Sequence, residues 1–165
     1  MTAAKSIRVV MVCTGNICRS PTAEAVLRAL AERRDLGDRL IVDSAGIEAY
    51  HVGAPPDTRS QEHARRRGYE LAALRARQVG PADFDGGIDW LLAMDRWHLA
   101  ALKRRCAPSR QGSLRLLMDF SGRPGTEVPD PYYGGPADFE RVLDLVEAGC
   151  EGFLQTLFKQ QAGPI

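Results

Sequence analysis

An α/β domain with a parallel sheet is the fold this sequence predicts, and three observations predict it. Short apolar runs of strand length alternate along the chain with segments whose apolar residues recur at helical spacing, the pattern of strand–helix–strand units. The first run, carried by Ile7, Val9, Val10, Met11 and Val12, is apolar without alternation, as expected of a strand covered on both faces. The chain has 165 residues, 44% of them apolar, which is one domain's worth and enough to bury a core.

That first strand runs into a tight loop, Cys13-Thr14-Gly15-Asn16-Ile17-Cys18-Arg19-Ser20. Behind the loop, Ala23, Val26, Leu27 and Leu30 mark a helix, with Ser20 suited to its N-cap and Pro21 to its first position. Gly37 and Asp38 break the helix, and Leu40, Ile41 and Val42 form a second strand that ends at Asp43-Ser44. Such a strand–helix–strand unit crosses over right-handed. Ala45 to Pro56 holds Gly46, Gly53, Pro55 and Pro56 and reads as a loop. Loops leaving strand C-termini line the ligand crevice of an open parallel sheet, which places Tyr50 and His51 at the rim of any site on the first loop.

Asp57 to Arg67 reads as a short polar helix closed by Gly68, with Arg65-Arg66-Arg67 as a solvated face. Tyr69 to Gln78 has no period that assigns it. Pro81 to Phe84 suggests a helical turn, and Ile88 to Met94 a third strand. Asp95 is placed to cap the next helix, where Leu99, Leu102 and Cys106 share a face until Pro108. Leu114 to Leu117 is a fourth strand. Asp119 to Gly135 is a long loop rich in Gly and Pro, of a length that in compact domains often carries function. Apolar residues from Phe139 to Phe158 then mark a long amphipathic C-terminal helix. The sum is a single domain over residues 1–165: a four-stranded parallel sheet with helices on both faces.

The totals exclude several classes. A formal net charge of +1 gives no reason to expect nucleic acid or an acidic membrane as a partner. No apolar stretch approaches a membrane span, and Met1 to Ser6 lack the apolar segment of a signal peptide, so a cytoplasmic monomer is expected. Four scattered cysteines make no disulfide framework, and only Cys13 and Cys18 lie in a reactive setting. His51, His63 and His98 fit no metal-ligand spacing. The first loop lacks the Lys-Ser/Thr ending of a Walker loop, so no metal, nucleotide or other cofactor is expected.

The first loop does carry chemistry. A loop that opens a helix aims several backbone N–H groups at one spot, and the helix dipole favours an anion there. Arg19 adds a planar fork suited to two phosphate oxygens. Cys13 ends the strand, where the same positive surroundings favour the thiolate, the nucleophilic form. Cys-x5-Arg around an oxyanion is a phosphate trap with an attacking group in its floor. Gly15 and Asn16 tolerate the torsions such a cradle demands. Expelling a tyrosine, whose hydroxyl has a pKa of about 10, also needs a proton donor, and the loop contains no carboxylate.

The string Cys13 to Ser20 with Pro21 resembles the active-site loop of low-molecular-weight protein tyrosine phosphatases. Asp130-Pro131-Tyr132-Tyr133-Gly134 resembles that family's general-acid segment. Ser44-Ala45-Gly46 and Tyr50-His51-Val52-Gly53 are similar to family segments as well. The resemblance implies a flavodoxin-like sheet in the order 2-1-3-4 and hydrolysis of phosphotyrosine through a cysteinyl-phosphate. It implies Cys13 as nucleophile, Arg19 as phosphate clamp and Asp130 as acid and then base, with a proton that bound phosphate and partial burial help it keep. Thr14, Gly15, Asn16, Ile17 and Cys18 complete the phosphate loop. By the same resemblance Ser20 bonds the thiolate, Asn16 holds the loop with Ser44 as partner, and Cys18 can form a protective disulfide with Cys13. Tyr50, Tyr132, Tyr133 and Ile17 would wall the substrate cleft.

Three rivals share the loop or its binding chemistry. Protein arginine phosphatases of the superfamily carry Thr where this chain has Ile17. Arsenate reductases of the same fold relay oxidation through two nearby cysteines, whereas Cys106 and Cys150 are far apart. A non-catalytic phosphotyrosine-binding module would not need Cys13, Arg19 and Asp130 together.

Overall fold

The computed structural model describes residues 5–159, so the expectations for the leader and for the two ends of the 1–165 domain lie partly outside the described residues. The elements are β1 (Ile7–Cys13), α1 (Arg19–Arg33), β2 (Leu40–Gly46), α2 (Thr58–Arg66), β3 (Trp90–Ala93), α3 (Arg96–Arg105), β4 (Leu114–Leu116) and α4 (Pro136–Leu157). All strand pairs are parallel, in the order β2-β1-β3-β4. The order follows from the apolar content of β1, which pairs on both sides: Cys13 opposite Gly46 of β2, and Val12 opposite Ala93 of β3.

Side-chain alternation along β1 divides the core. Val9, Met11 and Cys13 face a layer built from α1, α2 and α4, which includes Leu27, Val146 and Phe153. Val10 and Val12 face α3 through Ala101 and Leu102. The odd-numbered parity matters for function. It turns Cys13 at the strand's end toward the face on which α1 begins. Cys106 and Cys150 lie in the two opposite layers, so they cannot serve as a cysteine relay with each other.

Several boundaries differ from the sequence reading. Helix α1 begins at Arg19, with Cys18 at the N-cap and no side-chain cap bond, so Ser20 is not the cap and Pro21 is not the first helical residue. The physical reason is that the Ser20 hydroxyl is taken by the loop in front of it. Strand β2 runs on to Gly46, two residues past Ser44, and β3 is trimmed to Trp90–Ala93. A 3-10 turn over Leu117–Phe120 shortens the long loop at its start. The unassigned stretch from Tyr69 to Gln78 turns at Ala72 and Ala73, and only its end lies against β2: Gly46 N donates to Arg77 O, and Val79 N donates to Gly46 O. Arg67 is not a solvated member of its run. It bridges α2 to α4 through Glu140, Asp144 and Glu147 at 2.7, 3.0 and 2.6 Å.

Candidate active site

The loop between β1 and α1 is shaped by bonds that pull its carbonyls outward. Ile47 N donates to Cys13 O, Glu48 N to Thr14 O and Asp57 N to Ile17 O, at 2.8–2.9 Å. With those carbonyls turned away, the amides turn in. Among the described residues, the N–H groups of Gly15, Ile17 and Cys18 have no protein partner, while Asn16 N donates to Cys13 Sγ at 3.3 Å. The result is a ring of donors at the N-terminus of α1, with the sulfur on its axis side.

Asn16 alone of the loop takes a positive φ, 59°. Its side chain holds it there: Nδ2 donates to Ser20 Oγ at 2.8 Å and to Ser44 Oγ at 2.9 Å, and Oδ1 accepts from Arg77 N at 3.0 Å. Gly15 serves a different end from the torsional one expected of it. A Cβ there would lie 2.8 Å from the His51 ring, so glycine lets His51 close down on the loop. Gly46 is constrained by backbone, since a Cβ would lie 2.8 Å from Thr14 O and 3.1 Å from Gly15 C.

Proton counting then orients the network. Ser44 donates to the buried Glu24 Oε1 at 2.6 Å, which leaves its oxygen to accept from Asn16. Ser20 accepts from Asn16, which leaves its own proton for Cys13 Sγ at 3.0 Å, nearer than Ala45 O at 3.4 Å. A chain Glu24–Ser44–Asn16–Ser20 thus ends by donating to the sulfur. Burial raises the Glu24 carboxyl above its ordinary range, and the bonds from Ser44 and Arg28 counter that. Glu24 escaped the sequence reading, although its place one helical turn after Ser20 among Ala23, Val26 and Leu27 is the signal that marks it.

Arg19 is 4% exposed and is gripped from several sides. Nη1 donates to Asp95 Oδ2 at 2.9 Å and to Val128 O at 3.1 Å. Nη2 makes longer contacts, to Thr14 Oγ at 3.3 Å and His98 Nε2 at 3.4 Å. Nε has no hydrogen-bond partner among the described residues. The tied Nη1 fixes the fork, and the Nε and Nη2 edge is left for two oxygens of a tetrahedral anion.

Asp95 does cap α3 as read from the sequence, its Oδ1 accepting from His98 N at 3.0 Å, but its other oxygen holds Arg19. His98, which fits no metal-ligand spacing in the sequence, is a wholly buried neighbour of the loop. A guanidinium can only donate, so Nε2 is an acceptor and takes the Thr14 hydroxyl at 2.8 Å. The ring proton therefore sits on Nδ1, 3.1 Å from Asp95 Oδ1 without hydrogen-bond alignment. Burial first, and the charge of Arg19 second, push the imidazole down from 6.5 to about 4.

Cys13, Arg19 and Asp130 line one cavity of about 380 Å³ together with Tyr50, Tyr132 and Tyr133; Thr14, Gly15, Ile17 and Cys18 complete its floor. Asp130 stands at the mouth, its side chain half exposed and Oδ2 3.8 Å from Arg19 Nη2. Its Oδ1 accepts from Tyr132 N at 3.0 Å. The three tyrosines are not equal walls: Tyr132 is 38% exposed and lies beneath Arg59, whereas Tyr50 at 73% and Tyr133 at 94% project into solvent. Cys18 is buried beside Ser60, and burial pushes its thiol up to about 12, so it stands as a protonated thiol and not as a second reactive thiolate.

The chain matches the family model described as low molecular weight phosphotyrosine protein phosphatase over residues 8–162. It is 42% identical over 161 residues to a low molecular weight protein-tyrosine-phosphatase of Streptomyces coelicolor, covering 94% of this chain and 96% of that one. It is 39% identical over 156 residues to YfkJ of Bacillus subtilis, a protein of the same description, covering 94% and 98%. The crystal structure of a protein tyrosine phosphatase from Entamoeba histolytica with Hepes in its active site superposes with a TM-score of 0.89 at 38% identity, over 94% of this chain and 99% of that one. With this fold, and with that loop on the C-terminal edge of its sheet, the chain belongs to the low-molecular-weight protein tyrosine phosphatase family.

Proposed function

We propose that this protein hydrolyses phosphotyrosine in protein substrates through a cysteinyl-phosphate intermediate. One observation carries the reading: the Cys13 sulfur, receiving bonds from Asn16 N and Ser20 Oγ, opens onto the same cavity as the Arg19 fork and the Asp130 carboxyl. In the first step Cys13 Sγ attacks phosphorus in line with the tyrosyl oxygen. The inward amides and the Nε–Nη2 edge of Arg19 hold the three remaining oxygens as charge builds on them. Asp130, at the mouth, gives its proton to the departing phenol oxygen as the P–O bond breaks. In the second step Asp130 takes a proton from water, the hydroxide adds to phosphorus, and the thiolate leaves toward the Ser20 hydroxyl. The products are tyrosine and inorganic phosphate, and the chain's own residues meet each requirement.

Ile17 lines the cavity with an apolar side chain, which favours a flat aryl ester over a phosphorylated guanidine. We read the protein as cytoplasmic and monomeric. Its four cysteines are free and buried, and among the described residues no helix is long and apolar enough to cross a membrane. Turnover of p-nitrophenyl phosphate and of phosphotyrosine, phosphoarginine and phosphoserine peptides tests the assignment. The expected result is hydrolysis of the aryl esters by wild type, none by Cys13→Ser, and little of the other two. Undiminished activity of Cys13→Ser would refute the mechanism.

A further inference from the structure

We propose that a second cavity beside the first is a subsite for an acidic side chain flanking the phosphotyrosine of a peptide substrate. The inference rests on the phosphatase reading and extends it to substrate choice. The cavity, of about 520 Å³, is walled by Trp97, Glu127, Pro129 and Arg141, and it shares Thr14, Arg19 and Asp130 with the phosphate cavity. The two hollows therefore meet at Asp130. A peptide whose phosphorylated side chain fills the first lays its neighbouring residue across Asp130 toward the second, since successive Cα atoms are only about 3.8 Å apart.

Charge selects the occupant. Three carboxylates face this cavity; Asp130 carries a proton in the proposed first step, and each of the other two has its own arginine. Asp95 pairs with Arg19 at 2.9 Å, Asp130 lies 3.8 Å from the same guanidinium, and Glu127 pairs with Arg96 at 3.5 Å while accepting from Arg96 N at 2.7 Å. Arg141 is exposed near the start of α4, and among the described residues no carboxylate lies within 4.0 Å of it. While Asp130 holds its proton, Arg141 is the cavity's uncompensated charge, and its fork suits a carboxylate. Trp97, 52% exposed, offers a flat apolar wall for the methylene stem of a glutamate. A pair made with an exposed arginine is modest, so the subsite tunes selectivity and does not gate turnover.

The test compares two phosphotyrosine peptides that differ only in carrying Glu or Gln on both sides of the phosphotyrosine. At low salt, wild type is expected to favour the Glu peptide in kcat/KM by about two- to fivefold, and the preference should shrink as salt rises to about 0.5 M. Arg141→Gln should remove the preference and Arg141→Glu should reverse it. Turnover of p-nitrophenyl phosphate, which has no flanking residue, should be the same in all three. Arg141 lies on a solvated helix face, so neither variant threatens folding. Equal kcat/KM for the two peptides in wild type, or a preference that survives Arg141→Gln, overturns the subsite while leaving the phosphatase intact. Failure of wild type on every phosphotyrosine substrate overturns the phosphatase reading and the subsite with it.

Discussion

Acid should weaken this fold through His98, and the size of the effect follows from its surroundings. The ring is wholly buried at the start of α3. It is faced by the Thr14 hydroxyl from the loop, the Arg19 guanidinium from α1, the Asp95 carboxylate from its own helix and, farther off, Asp130 from the long loop. A proton on Nε2 would confront Arg19 and lose the bond from Thr14. Burial and Arg19 outweigh the two carboxylates, and the folded imidazole takes up its proton only at about 4, against 6.5 ordinarily. Between those values the unfolded chain binds more protons than the folded one. The contribution is therefore whole above about pH 6.5 and is lost as pH falls toward 4. A shift of this size removes about 2 kcal/mol between pH 7 and pH 5, and about 3 kcal/mol once both states are protonated. Urea unfolding of wild type and His98→Gln at pH 7, 6 and 5 measures it. Glutamine offers a carbonyl to Thr14 and Arg19 but does not titrate. Wild type should lose about 2 kcal/mol more than the variant between pH 7 and 5, because every other titrating group, Glu24 included, acts in both proteins and cancels. Equal losses would refute the reasoning and with it the neutral, acceptor role assigned to Nε2.

Other substitutions probe other parts of the site. Asp130→Asn should slow hydrolysis of aryl phosphates by about 10²- to 10⁴-fold, with the deficit growing as the leaving group's pKa rises; a leaving-group series measures this, and an unchanged slope would count against general acid catalysis. Cys18→Ser should turn reversible peroxide inactivation into a loss that thiols do not restore, if Cys18 condenses with a Cys13 sulfenic acid to release water and close a disulfide. Full recovery of the variant with dithiothreitol would argue against that pairing.

The part of the site that was legible is the part written contiguously. Cys13 to Ser20 can be read because strand, loop and helix follow one another, and the chemistry of a helix N-terminus needs no distant residue. The resemblance at Asp130 and Tyr132 reached a second segment, and the fold brings it to the same cavity. What stayed hidden depends on residues far apart in the chain. Asp95 reads as a cap from its neighbours, but its grip on Arg19 spans 76 positions, and His98 meets Thr14 across 84. His98 precedes Leu102 by one helical turn on the buried face of α3, a position that would have marked it as a core histidine. Of the two duties expected of Ser20, the bond to the Cys13 sulfur is present at 3.0 Å and the N-cap is not, for a reason of chemistry. The same hydroxyl that suits an N-cap also suits a donor to sulfur, and only the three-dimensional course of Asn16 and Ser44 decides between them. Tyr69 to Gln78 has no period because its order comes from backbone bonds to Gly46 and to the loop at Gly53 and Ala54, not from a repeating side-chain face.

The division between buried and exposed groups follows the division within the substrate. Every phosphomonoester presents the same tetrahedral dianion, and the groups proposed to meet it are buried and tied: the loop amides by outward-bonded carbonyls, Cys13 by Ser20 and Asn16, Arg19 by Asp95 and Val128. Because those bonds exist before any anion arrives, little reorganisation is left for the reaction to drive. The ester side of the substrate varies from one protein to another, and apart from the general acid Asp130 the groups proposed to meet it are exposed: Tyr50, Tyr133 and, next to them, Trp97 and Arg141. A loss of one tie on the buried side should therefore lower kcat for all esters alike, because it misplaces atoms that every substrate uses. A change among the exposed tyrosines, Trp97 or Arg141 should re-rank substrates while leaving the common step intact, because those side chains take no part in the proposed transfer of the phosphoryl group or its proton.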